Sequence, residues 1–170
     1  MSFFNVLKGA YPSLRQLDKT LPLGAGATSI VRGTCMKIDA GTFVIADSAN
    51  GGVHDPGPVI YFSFQNASDP DVKMAGGITG MPCTMPCEVE TDMYSGAPVV
   101  GNFLMSGAAG VLAVHTGTVA APKTAVGLVT KAPAYRWSNQ AVQVAGVSTG
   151  NKIQTIAFWT MYAPNLAVGA

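Results

Sequence analysis

Five side chains in this sequence are of the types that make nucleophiles and soft-metal ligands: Cys35, Cys83, Cys87, His54 and His115. Cys83 and Cys87 flank Thr84-Met85-Pro86, and the two histidines are the imidazoles that could complete a zinc site with them. Structural zinc usually sits between two tight ligand pairs, whereas here one pair faces two scattered histidines. The expected role of Cys83 and Cys87 is that of small apolar residues in a proline-rich loop entering a strand. A cysteine nucleophile would need the fold to bring an imidazole and an orienting group beside it. No Gly-x-Ser-x-Gly elbow is present, and Asp47-Ser48-Ala49 lacks the glycine of an aspartic-protease loop. Asp55 and Asp69 stand next to prolines, where aspartate ordinarily caps a turn. These residues lead us to expect no catalytic site, no metal and no cofactor.

Three carboxylates form the next pattern. Glu88, Glu90 and Asp92 alternate with Val89, Thr91 and Met93, so a strand here carries all three on one face. Such a stripe could bind calcium or a partner, or be the solvated face of a strand whose charges protect a sheet edge. Gly76-Gly77-Ile78-Thr79-Gly80 resembles a phosphate loop only in its glycines, because no Lys-Ser/Thr follows. Tyr135 and Trp137 flank Arg136 as a stacking platform for bases would, but the surrounding charge is too sparse to hold a phosphate backbone.

The elements that must position these residues read as strands. From Gly24 onward, apolar runs of five to eight residues are separated by Gly, Pro, Asn and Asp, which predicts antiparallel sheet. We place strands near 29–38, 42–46, 59–65, 87–93, 103–106, 111–114, 125–131, 141–144 and 153–162. Turns are expected at Asp39-Ala40-Gly41, across 106–110, and at Ser148-Thr149-Gly150-Asn151 before the last strand. The stretches 49–58 and 66–86 read as long loops, the places where a rigid β scaffold usually makes its contacts. The predicted fold is all-β, an antiparallel β-barrel or a jelly-roll-like sandwich.

Residues 1–23 read differently, as an N-terminal arm ahead of a single β domain spanning 24–170. Phe3, Phe4, Leu7, Tyr11, Leu14, Leu17 and Leu21 recur at spacings of three and four, interrupted by Gly9 and Pro12. A short helix is predicted over 13–19 with Ser13 as its N-cap. The apolar side chains of the arm must pack somewhere, either closing the bottom of the protein's own barrel or lying on a neighbouring subunit. Phe3, Phe4, Leu7, Tyr11 and Arg15, with Glu88, Glu90 and Asp92, are the candidate partner contacts.

Composition bounds the rest. The chain of 170 residues is 48% hydrophobic and carries only 11% charged residues, against about 25% in ordinary soluble domains. Nineteen charges must cover a monomer surface of roughly 8,000 Å². A large uncharged surface is typical of subunits with extensive interfaces. Residues 1–92 hold six basic and all nine acidic residues, a net of −3, whereas residues 93–170 hold Lys123, Lys131, Arg136 and Lys152 and no acid. This hints at a dipolar surface suited to contacting copies of itself or a partner. A net charge of +1 argues against a polyanion-binding face, so no nucleic-acid partner is expected. No apolar run reaches the length of a membrane span. The odd number of thiols and the lack of a signal-like start suggest synthesis in a reducing cytoplasm.

Three stretches together resemble small structural proteins of tailed-phage heads. They are Asp69-Pro70-Asp71-Val72 through Gly80-Met81-Pro82-Cys83 into 88–94; 97–104 with Gly110-Val111-Leu112 and 125–131; and the apolar, aromatic run 153–162. The second is similar to the strand, hairpin and strand of capsid decoration, or cement, proteins, and the third to their closing strand. The likeness spans roughly residues 35–162. It implies a virion protein on the capsid surface that binds the major capsid protein of a phage shell and ties neighbouring subunits together, as a dimer or trimer. Alternatives are a β-sandwich module binding carbohydrate or a host surface, and a subunit of the capsid or tail tube itself.

Overall fold

The computed structural model describes residues 2–9, 18–47, 59–118, 123–137, 142–144, 147–149 and 152–168. Within them the apolar runs become β1 (Phe4–Gly9), β2 (Lys19–Leu21), β3 (Cys35–Asp39), β4 (Thr42–Ile45), β5 (Tyr61–Ser63), β6 (Ile78–Pro82) and β7 (Cys87–Thr91). There follow β8 (Phe103–Ser106), β9 (Leu112–Val114), β10 (Lys123–Trp137), β11 (Val142–Val144), β12 (Val147–Thr149) and β13 (Lys152–Leu166). One helix, α1 (Pro70–Ala75), lies between β5 and β6.

The strands form two antiparallel sheets. One has six strands in the order β1-β7-β13-β10-β8-β9, and the other has five in the order β2-β6-β5-β3-β4. β11 and β12 pair with each other as a separate hairpin. The two sheets do not close on one another, so the barrel expected as one form of the fold is not what forms. Their far edges are instead blocked separately. Pro22 and Gly24 hydrogen-bond both backbone groups of Phe43 on β4, and Met93 and Ser95 do the same for Leu112 on β9. An edge covered by passing main chain offers no template for another strand.

The alternation of side chains explains why two sheets suffice for this length. In β3, β5 and β6 one set of residues, Cys35, Phe62 and Met81, joins Val89, Leu104, Val126, Ile156 and Phe158 of the six-stranded sheet in one fully buried core. The intervening residues Met36, Tyr61 and Ile78 face the opposite way and pack with Phe43, Ile30, Ala27 and Val72 of α1. The centre of the five-stranded sheet is thus buried on both faces. The Phe158 ring lies at the centre, 5.6 Å from the Phe62 ring. It sits over Gly127, where a Cβ would come within 2.4 Å of a ring carbon.

Several expectations need correction. The stretch 66–86 is not one loop, because it holds α1 and β6. Asp69 precedes α1 with Pro70 at its first turn, and Gly76 ends it in the left-handed conformation at φ 66°. The Asp69 carboxylate accepts hydrogen bonds from the backbone N–H and the side-chain amide of Asn66 at 2.9 and 3.0 Å. These bonds hold the Asp69 carboxyl below its ordinary range. The strand expected over 29–38 begins only at Cys35, since Ala27–Ser29 forms a 3-10 turn. The turn at Ala40-Gly41 forms as expected, with φ of 45° and 81° joining β3 to β4.

The described parts of residues 1–23 pair with the two sheets. β1 runs antiparallel to β7 and β2 to β6, so the segment supplies one edge strand to each sheet. The Phe4 ring stacks on Phe62 at 5.7 Å and meets Phe64 edge-on at 5.6 Å. This is the first of the two packings expected for the segment, in its own molecule, though against open sheets and not a barrel floor. The short helix expected over 13–19 lies outside the described residues except for its end, where Lys19 opens β2.

Candidate assembly surfaces

The carboxylate stripe lies on β7, which is flanked by β1 on one side and β13 on the other. It therefore protects no edge. Each of its carboxylates is engaged within the molecule. Glu88 accepts a hydrogen bond from the Thr130 hydroxyl at 2.5 Å and an ion pair from Lys8 at 3.0 Å. Thr130 chiefly, and Lys8 with it, hold the Glu88 carboxyl below its ordinary range. Glu90 is buried and accepts from the Thr155 hydroxyl at 2.6 Å. Asp92 accepts from the Phe3 N–H at 2.6 Å, while burial pushes its carboxyl up. Lys8 and Phe3 belong to the N-terminal segment, so two of the expected partner-contact groups bind one another inside the chain. Leu7 remains 46% exposed, whereas Tyr11 and Arg15 lie outside the described residues.

The thiols are all buried. Burial pushes Cys35 and Cys83 up to about 12 and raises Cys87 as well. The Cys87 sulfur lies 3.5 Å from the Thr160 hydroxyl and 3.7 Å from the Met81 sulfur, an apolar and neutral setting. A thiol held so far from its thiolate is a poor nucleophile and a poor metal ligand. Native protein is accordingly expected to leave all three thiols unlabelled by a thiol-reactive dye and to expose them only in denaturant. Rapid labelling of the native chain would contradict this burial.

His115 is 4% exposed and both ring nitrogens are engaged. Nδ1 accepts from the Gly117 N–H at 3.1 Å and Nε2 lies 3.1 Å from the Lys123 carbonyl, which selects the neutral tautomer protonated on Nε2. Burial, and Lys123 more weakly, lower its pKa from 6.5, against the pull of the Lys123 carbonyl. The unfolded chain therefore takes up this proton at a higher pH than the folded one. Stability is fully present above about pH 6.5 and falls as the pH drops through that value toward the lowered native pKa. Urea midpoints measured at about pH 7 and about pH 5 should show the loss. A His115→Asn variant, less stable throughout, should show less of that pH dependence. His54 lies outside the described residues, and among those described no three metal-ligating side chains cluster.

The molecule instead presents surface that the strand pattern did not reveal. β10 and β13 are each 15 residues long and pair from Lys123 and Leu166 to Trp137 and Lys152. β8 joins β10 only at Gly127 and Leu128, and β7 joins β13 only from Ile156 to Trp159. Beyond Lys131 the two strands continue with no strand beside them among the described residues. Residues 132–137 of β10 make up roughly 20 Å of strand at about 3.3 Å per residue, with Thr155 opposite Ala134 still bonded to Glu90 of β7. Tyr135 on it is 72% exposed. Val99 and Val100, in the turn before β8, are 56% and 63% exposed. The strand expected over 125–131 runs on in the structure from Lys123 to Trp137. In the structure Pro133 falls at a register shift between Lys131 and Ala134, where a missing N–H is tolerated.

No family model, no curated protein and no solved structure matches the chain.

Proposed function

We propose that this chain is a non-enzymatic virion structural protein, a decoration or cement protein that binds the outer shell of a phage capsid and ties neighbouring capsid subunits together. The observation that carries the reading is the pair of long strands, β10 and β13, that run on past their neighbours in the six-stranded sheet. An isolated β-ribbon is at best marginally stable in water, so one retained with an exposed tyrosine is suited to being covered by another subunit. The sparse charge supports the same reading, with 19 charged side chains on a chain exposing 8516 Å². Weak contacts repeated at many equivalent sites add up on a closed shell. In this reading the two sheets form a jelly-roll-like sandwich and the major capsid protein is the partner.

The projecting hairpin suits a shell or tail-tube subunit equally well, and this is the second reading. Electron microscopy of particles from cells making the chain separates the two. Density over the outside of a preformed shell supports decoration, whereas density within the shell lattice or tube wall supports the second reading. Absence from any particle would refute both.

A further inference from the structure

We propose that His115 is a proton-operated catch: the neutral ring fastens the end of β13, residues 163–168, to the sheet, and a proton on the ring lets that end go. The device belongs to the fold and does not depend on the proposed function.

Three pieces of chain meet at the ring. The His115 N–H donates to the Phe103 carbonyl at 2.8 Å, which seats the residue beside β8. Nδ1 accepts from the Gly117 N–H and closes the turn 115–117, while Nε2 bonds the carbonyl of Lys123, the first residue of β10. The turn then holds the chain end, because the Gly117 carbonyl accepts from the Val168 N–H at 2.9 Å. A Cβ on Gly117 would meet the His115 ring at 2.5 Å and the Leu166 carbonyl at 2.6 Å, so ring, turn and strand end are packed without slack.

Little else holds this end of β13. β7 pairs with β13 only from Ile156 to Trp159, so beyond it β10 is the one strand alongside among the described residues. The β10–β13 register shifts twice between Lys123 and Gly127, and Pro164 has no N–H to give the ladder. In the same stretch the Thr124 hydroxyl is buried without a hydrogen-bond partner.

A proton on Nδ1 turns that acceptor into a donor facing the Gly117 N–H, and two N–H groups cannot bond. The buried ring also gains a charge beside Lys123, the charged side chain that acts on it, whose ammonium donates to the Thr116 hydroxyl at 2.9 Å. β8 brings Phe103 and Met105 to this region and the end of β13 brings Leu166 and Val168, none of them titratable. With the turn undone, Gly117 loses its hold on Val168, and the ring reaches water as the strand end peels from Lys123. Burial lowers the pKa of the ring from 6.5. The fastened form therefore holds above about pH 6.5 and the open form gains below it. Release bares the half-buried Leu166 and Val168 and leaves the core around Phe158 closed.

Hydrogen exchange of the full-length chain tests the catch, read residue by residue at about pH 7.5 and about pH 5 and corrected for the intrinsic pH dependence of exchange. The amides of Gly117 and of residues 165–168 are expected to lose about tenfold in protection at the lower pH, while those of Val89 and Phe158 keep theirs. The fall should share its midpoint with the titration of the His115 ring followed by NMR. In His115→Asn, which takes up no proton in this range, protection of residues 165–168 should be the same at both pH values. Should that variant not fold, the shared midpoint in wild type decides alone. An unchanged strand end at the lower pH, equal loss across the core, a midpoint apart from that of the ring, or an acid response surviving in His115→Asn would each overturn the inference.

Discussion

Replacing Phe158 with alanine is expected to lower the free energy of unfolding by about 3–5 kcal/mol, the usual loss for a fully buried phenylalanine. The ring is fully buried between the sheets. It touches Phe62 from the five-stranded sheet and covers Gly127 on the neighbouring strand. No neighbour can collapse into the space without dragging a paired strand, which places the effect at the upper end of the range. Urea denaturation monitored by circular dichroism would measure it. Gly127→Ala attacks the same site from the other side, because its methyl group would come within 2.4 Å of a ring carbon. That substitution is expected to destabilise wild type but to be better tolerated in Phe158→Ala, where the ring is gone. Strict additivity of the two losses would show that they do not share one space.

Deleting residues 2–9 is expected to unfold the chain at ordinary temperature. The loss removes β1 and exposes Phe62 and Phe64 where Phe4 had covered them. It also strips Glu88 of Lys8 and leaves Asp92 without the Phe3 N–H. A half-buried Asp92 carboxylate that has lost the Phe3 N–H adds its own desolvation cost to the lost apolar burial, whereas Glu88 keeps the Thr130 hydroxyl. Together these terms are on the order of 5 kcal/mol or more, comparable to the whole stability of a domain this size. Circular dichroism and one-dimensional NMR of the truncated protein would settle it. A folded truncation that merely lost attachment to a particle would mean the segment works in trans.

The contrast between these segments shows which patterns the sequence reveals. Strands with short, punctuated apolar runs were legible: β4, β7, β8 and β9 lie where the turn residues place them, because Gly, Asn and Asp turns report local backbone geometry. β6 was hidden in a stretch that reads as loop, since Gly76, Gly77 and Gly80 look like punctuation. At Gly80 the glycine serves close packing, because a Cβ there would meet Met36 and Tyr61 at 2.8 and 3.0 Å. The N-terminal residues show a helical spacing, yet Phe4–Gly9 form a strand. A periodicity sampled over so few residues is decided by whichever sheet offers an open edge, and β7 offers one.

For the candidate surfaces, the amino-acid sequence alone determined the sparse charge, its division into an acidic first half and a basic second half, and the β-rich character of the chain. These are sums over residues and need no geometry. Where Glu88, Glu90 and Asp92 point, and that their donors come from residues 3, 8, 130 and 155, only the tertiary structure decided. Hydrogen bonds between residues so far apart leave no local trace in composition or spacing. The same holds for the projecting hairpin. Its length follows from pairing between β10 and β13 across the intervening chain, and its exposure from β7 and β8 stopping short, a mismatch of strand lengths that appears only once the strands are placed side by side.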